Sequence, residues 1–170
     1  MRQNFKATTS LVWGFTLIEM VVYAAILGVI TVLAVNSTLL MVQAYTNLRV
    51  SRDLNAGATA VLERLTREIR SADSVSTALT NQLILNTKDS GGAATTIEFY
   101  VTGGLMNVRE GGVGQGSLMP SSTSVGSFVP QALTGTNSSA VKIDLTMSAS
   151  RGTISKTRTF YTTVTMRGSY

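Results

Sequence analysis

One carboxylate stands at the head of a long uncharged run. Glu19 closes the stretch Gly14-Phe-Thr-Leu-Ile-Glu19, and no formally charged residue follows from Met20 to Leu48. A carboxylate costs about 2.5–3.5 kcal/mol at the centre of a membrane-spanning helix, so an acid at the edge of such a run calls for a partner. Local chemistry offers one account. Thr16 and Glu19 have capping-box spacing, and Phe15 and Met20 are placed for a hydrophobic staple. An acid in a first helical turn also suits the helix dipole. These features explain a helix start, but not why a charge is kept where a bilayer would begin.

Other chemistry is sparse. The 170-residue chain contains no cysteine and no histidine. That excludes disulfides, thiol catalysis, zinc ligation by Cys or His, and Ser-His-Asp or Cys-His sites. Nine acids are scattered along the chain, with only Asp144 after Glu110, so no carboxylate pair or calcium loop stands out. Gly111-Gly-Val-Gly-Gln-Gly116 has the wrong spacing for a dinucleotide loop and reads as a plain loop. Asn137-Ser-Ser matches a glycosylation acceptor by chance. Arg151, Lys156, Arg158 and Arg167 lack the interleaved aromatics of a nucleic-acid surface and read as a solvated sheet face. Neither an enzyme nor a cofactor is expected.

The elements that would position Glu19 are legible in the first 75 residues. Met1 to Gly14 carries Arg2 and Lys6 and no acid. Residues 15–36 form an apolar span long enough for a hydrocarbon core of about 30 Å. Basic residues before a span stay cytoplasmic, which places the remainder outside. An ordinary signal peptide competes with this reading. Met20–Leu33 would serve as its apolar core and Val32-Leu33-Ala34 as its cleavage site. Against it, the n-region ahead of Met20 would be long and would end in an acid, Glu19, and the helical pattern continues past Ala34. Residues 37–74 continue as an amphipathic helix. Leu54, Ala58, Val61, Leu62, Leu65, Ile69 and Ala72 share one face, while Glu63–Arg67 and Arg64–Glu68 sit four residues apart on the other.

Residues 75–170 turn to Thr, Ser, Gly and β-formers and read as a β-sheet head. Gln82–Asn86 is a strand. Thr95–Thr102 places Ile97, Phe99 and Val101 on one face, and Gly103-Gly104 turns it into Leu105–Arg109. Gly111–Ala140 reads as a long loop holding one weak strand, Val125–Leu133. Alternation at Val141–Met147 and Phe160–Met166 adds two strands across a turn at Arg151-Gly152. One antiparallel sheet laid on the amphipathic half-helix gives an α+β fold with one core.

The hexapeptide Gly14–Glu19, behind its short basic leader, resembles the processing signal of type IV prepilins and type II secretion pseudopilins. The resemblance implies cleavage between Gly14 and Phe15 by a prepilin peptidase/methyltransferase, followed by N-methylation of Phe15. It also gives Glu19 a partner, the ammonium of Phe15 on a neighbouring subunit. An α-amino group with a pKa near ~8 is largely cationic at neutral pH, and such a pair selects register as it offsets burial. Arg52–Asn55, Leu65–Val75, Thr95–Met106 and Thr162–Arg167 resemble J-type minor pseudopilins and related minor pilins. Many relatives carry a helix-kinking proline, whereas this chain has Asn36 there and no proline before Pro120. The C-terminal cysteine pair of many major pilins is missing, which favours the minor or pseudopilin side.

The expected protein is a single-pass inner-membrane subunit with its N-terminus cytoplasmic and its head extracytoplasmic. It would join a type II secretion pseudopilus or type IV pilus near the tip. Implied partners are other pilins or pseudopilins, the processing peptidase, the inner-membrane assembly platform and membrane lipid, with no small-molecule substrate. Two alternatives remain: a DNA-uptake pilin using the basic residues, and a secreted adhesin released by signal peptidase.

Overall fold

The computed structural model describes residues 14–135 and 139–167. Arg2, Lys6 and Asn137 therefore lie outside the described residues. The chain divides into two compact units, residues 1–43 and 44–170. One helix, α1 (Leu17–Ser71), contributes to both.

In the first unit α1 is apolar all round and none of its residues is buried. Its most apolar stretch has a mean hydropathy of 2.4 and is long enough to cross a membrane. Two of the hydroxyls there are satisfied by the helix itself. Thr31 donates to the Leu27 carbonyl at 2.8 Å and Thr38 to Ala34 at 2.9 Å, so neither side chain needs water.

In the second unit α1 becomes amphipathic, and Val50, Leu54, Gly57, Ala58, Val61, Leu65 and Ile69 are buried. Ala72 is also buried, whereas Leu62 is only partly covered. Gly57 marks a close approach: a Cβ there would lie 3.3 Å from Thr123 Oγ1 and 3.5 Å from Met147 Cε. The helix ends as Ser71 Oγ donates to the carbonyls of Arg67 and Glu68, at 3.2 and 3.1 Å. The Asp73 N–H then bonds the Asn86 carbonyl at 2.9 Å and leads the chain into the first strand.

Among the described residues eight antiparallel strands follow: β1 (Ser74–Leu79), β2 (Gln82–Lys88), β3 (Ala94–Thr102), β4 (Leu105–Glu110), β5 (Val113–Ser117), β6 (Thr123–Thr134), β7 (Ser139–Arg151) and β8 (Ile154–Thr165). They form two sheets, ordered β1-β2-β3-β4-β5 and β6-β7-β8, rather than the single sheet expected. The helix packs on both, and one apolar core runs from α1 through Leu83, Leu85 and Phe99 to Phe128, Ile143 and Leu145. The α+β class therefore stands with a different sheet division.

The Gly111–Ala140 loop is also corrected. The strand expected at Val125–Leu133 is present within a twelve-residue β6, and β5 is a further strand that was not expected. Every β5 residue is exposed, so burial imposes no apolar alternation on that segment. β6 is interrupted by a register shift between Val125 and Ser127 and carries Pro130, two features that weaken a strand pattern. β1 was not foreseen because it has no clean alternation and its own register shifts between Val75 and Thr77.

Candidate functional site

Gly14, Phe15 and Thr16 precede α1 and are exposed. Among the described residues, its chain neighbours aside, no atom lies within 4 Å of the point a Gly14 Cβ would occupy. The Gly14–Phe15 bond thus sits in non-helical chain immediately before the first helical turn. Phe15 is 69% exposed.

Thr16 starts the helix. Its carbonyl accepts the N–H groups of Glu19 and Met20 at 3.1 and 3.2 Å, and its Oγ1 accepts the Glu19 N–H at 3.3 Å. This is the forward half of the expected capping box. The Glu19 carboxylate is engaged one turn further on, where Tyr23 Oη donates to Oε1 at 3.0 Å. The Tyr23 ring meets Phe15 edge-on, with centroids 6.1 Å apart and planes at 79°. Phe15, Glu19 and Tyr23 therefore form one cluster on the opening turns of α1. Tyr23 was missed in the sequence, although its position four residues after Glu19 was the available signal. A carboxylate has about four acceptor positions, so the Tyr23 bond leaves room for a cationic donor at Glu19.

The four basic residues read as one sheet face do not form one. Lys156 and Arg158 turn toward α1, where Lys156 Nζ donates to Ser51 Oγ at 2.8 Å and Arg158 Nη1 to Asn55 Oδ1 at 3.1 Å. Arg151 is exposed at the β7–β8 turn. Arg167 lies beyond the far end of β8, its N–H donating to the Arg70 carbonyl at 3.2 Å. β8 thus sets the cations along a seam with the helix.

The remaining charges brace the head. Arg64 reaches Glu110 on β4, and its Nε lies 2.9 Å from Glu68 Oε1, though that N–H is not aimed at the carboxylate. Glu63 and Arg67 line a groove instead of closing into an ion pair. On the five-stranded sheet, Glu98 accepts from Gln82 and Arg109, both at 2.7 Å, and the Arg109 guanidinium sits 4.9 Å from the Tyr100 ring centroid. Among the described residues no three His, Cys, Asp or Glu side chains cluster as a metal site. Comparison with protein-family models, with curated proteins and with solved structures finds no match to this chain.

Proposed function

We propose that this chain is a prepilin of minor-pilin or pseudopilin type. It is a structural subunit that assembles through α1 into a type II secretion pseudopilus or a type IV pilus. The observation that carries the reading is the hexapeptide Gly14–Glu19, with its exposed, non-helical Gly14–Phe15 bond ahead of an apolar helix long enough to cross a membrane. Cleavage after Gly14 leaves an ammonium on Phe15, and Glu19 is the one acid near enough in sequence to answer that charge. Leader residues Arg2 and Lys6 favour a cytoplasmic N-terminus, and the second unit then lies outside the membrane.

Intact-mass and N-terminal analysis of the membrane-purified protein tests the proposal, with expression in a host that has a prepilin peptidase. The expected mature chain begins at N-methylated Phe15. A start at Val35 identifies an ordinary signal peptide and overturns the proposal, as does an uncut chain in a host that processes its own prepilins.

A further inference from the structure

Among the described residues the three-stranded sheet ends on β8, and that edge is charged, by Lys156 and Arg158, but is not short, bulged or interrupted by proline. β5, at the end of the other sheet, is five residues long, holds Gly114 and Gly116, and joins β4 through a register shift. β6 carries Pro130 and is bonded to the five-stranded sheet at Asn81 and Gly104. β8 instead runs twelve residues without proline, paired to β7 from Arg151↔Ile154 to Ala140↔Thr165 with no register shift. A long regular edge is a template for a further strand.

One bond fixes which groups are free. The Met166 N–H donates to the Ser139 carbonyl at 2.9 Å, so the even-numbered residues of β8 turn their N–H and C=O toward β7. Odd-numbered Thr157, Thr159, Tyr161 and Thr163 turn theirs to the open edge, and all four are exposed. Beside this edge α1 is uncovered. A pocket of about 290 Å³ opens at Lys156 and Arg158, and a groove of about 680 Å³ opens between Leu62, Thr66, Arg70 and Arg167. Leu62 and Phe160 are only partly buried.

The seam is also unbalanced in charge. Among the described residues Lys156, Arg158, Arg67, Arg70 and Arg167 make no ion pair, and Glu63 is the one carboxylate lining either opening. We propose that the β8 edge receives an extended segment of a partner polypeptide as an added strand. Acidic side chains at alternate positions of that strand would meet the cations at the two ends of the seam, and apolar ones between them would cover Leu62 and Phe160. Main-chain bonds to the odd-numbered residues supply affinity and the inward side chains supply selection. A second copy of this chain lacks the matching strand, because no two of its nine acids are two residues apart. The inference rests on the second unit alone and holds whether or not the protein is a pilus subunit.

The test uses the full chain in detergent micelles, isotopically labelled for amide exchange. The probe is an acetylated peptide of about eleven residues, threonine alternating with two glutamates, two valines and two glutamates. Binding should slow exchange at Thr157, Thr159, Tyr161 and Thr163 by about tenfold or more and leave the even-numbered amides unchanged. The same peptide with lysine for glutamate should bind at least about tenfold more weakly. Thr163→Pro removes an outward N–H without costing a β7 bond, so it should keep the wild-type melting temperature and lose binding. Several results would overturn the inference: no binding, binding without protection of the odd-numbered amides, equal affinity for the lysine peptide, or binding retained in Thr163→Pro. So would tighter binding to a short DNA duplex than to the peptide, or self-association that protects the same amides.

Discussion

Asn81 bonds the five-stranded sheet to one peptide of β6, and replacing it separates two costs. It occupies the β1–β2 turn at φ 66°, in the left-handed region. Its N–H donates to the Phe128 carbonyl at 2.7 Å, and its Oδ1 accepts the Phe128 N–H at 3.1 Å. Asn81→Gly keeps the backbone geometry but leaves the Phe128 N–H without its partner. Phe128 is fully buried while Asn81 is exposed; water reaches part of the gap, and about 1–2 kcal/mol is expected. Asn81→Ala loses the same bond and also holds a Cβ in the left-handed region without asparagine's tolerance for it, adding about 1 kcal/mol. For a unit of roughly 130 residues, 1 kcal/mol corresponds to about 3–4 °C in Tm. The glycine variant should therefore melt about 3–8 °C lower and the alanine variant about 6–12 °C lower. Calorimetry or circular dichroism on the detergent-solubilised full chain gives the comparison. An alanine variant no less stable than the glycine variant would refute the backbone argument. Two variants within a degree of wild type would refute the bridging role altogether.

Three further expectations concern α1 and the proposed assembly. Glu19→Val should leave membrane insertion and cleavage after Gly14 intact yet prevent co-purification with filament partners; Tyr23→Phe removes one hydrogen bond to the carboxylate, worth about 1.5–3 kcal/mol, but keeps the charge itself and should retain most assembly. Equal co-purification of Glu19→Val and wild type would reduce Glu19 to a helix-start residue. Leu65→Asp puts an unpaired charge at a fully buried position and should cost at least about 4 kcal/mol, abolishing cooperative melting of the second unit, while exposed Leu48→Asp should not. Quantitative mass spectrometry of sheared filaments should find this subunit as a small fraction of total pilin, with filament number falling far more on deletion than that fraction; dominance of the filament mass would remove the minor assignment.

That last expectation rests on the resemblance in α1 and the strands and on the missing cysteine pair. One long loop at 111–140 would also suit a tip subunit, where a single exposed copy can stay mobile, but it lends no support because β5 and β6 occupy much of that stretch. The error has a physical source. Strand recognition from sequence relies on one face being buried, which forces alternation. Val141, Ile143, Leu145 and Met147 are all fully buried and alternate accordingly, and their strand was legible. β5 buries nothing, so its sequence was free to become Val-Gly-Gln-Gly-Ser. The sheet division was hidden for a related reason. Asn81 and Gly104, which bond across to Phe128 and Val125, sit in turns that are ordinary hairpin chemistry from the sequence side.

The same contrast separates the two surfaces of this protein. Gly14–Glu19 is a local feature, since its residues lie within about two helical turns and Thr16, Glu19 and Tyr23 interact through neighbours three and four apart. Its chemistry can be read before any fold is known. The β8 edge cannot be read that way. Lys156-Thr-Arg-Thr-Phe-Tyr-Thr-Thr-Val164 alternates like any half-buried strand, and nothing within it marks the strand as the last of its sheet. That property comes from the sheet order β6-β7-β8 and from α1 leaving Leu62 and Arg70 uncovered beyond it. The pairing of Lys156 with Ser51 and of Arg158 with Asn55 spans more than a hundred residues of chain. A basic side chain read along the sequence has only its neighbours to explain it, whereas here its partners and the open edge beside it are set by the fold.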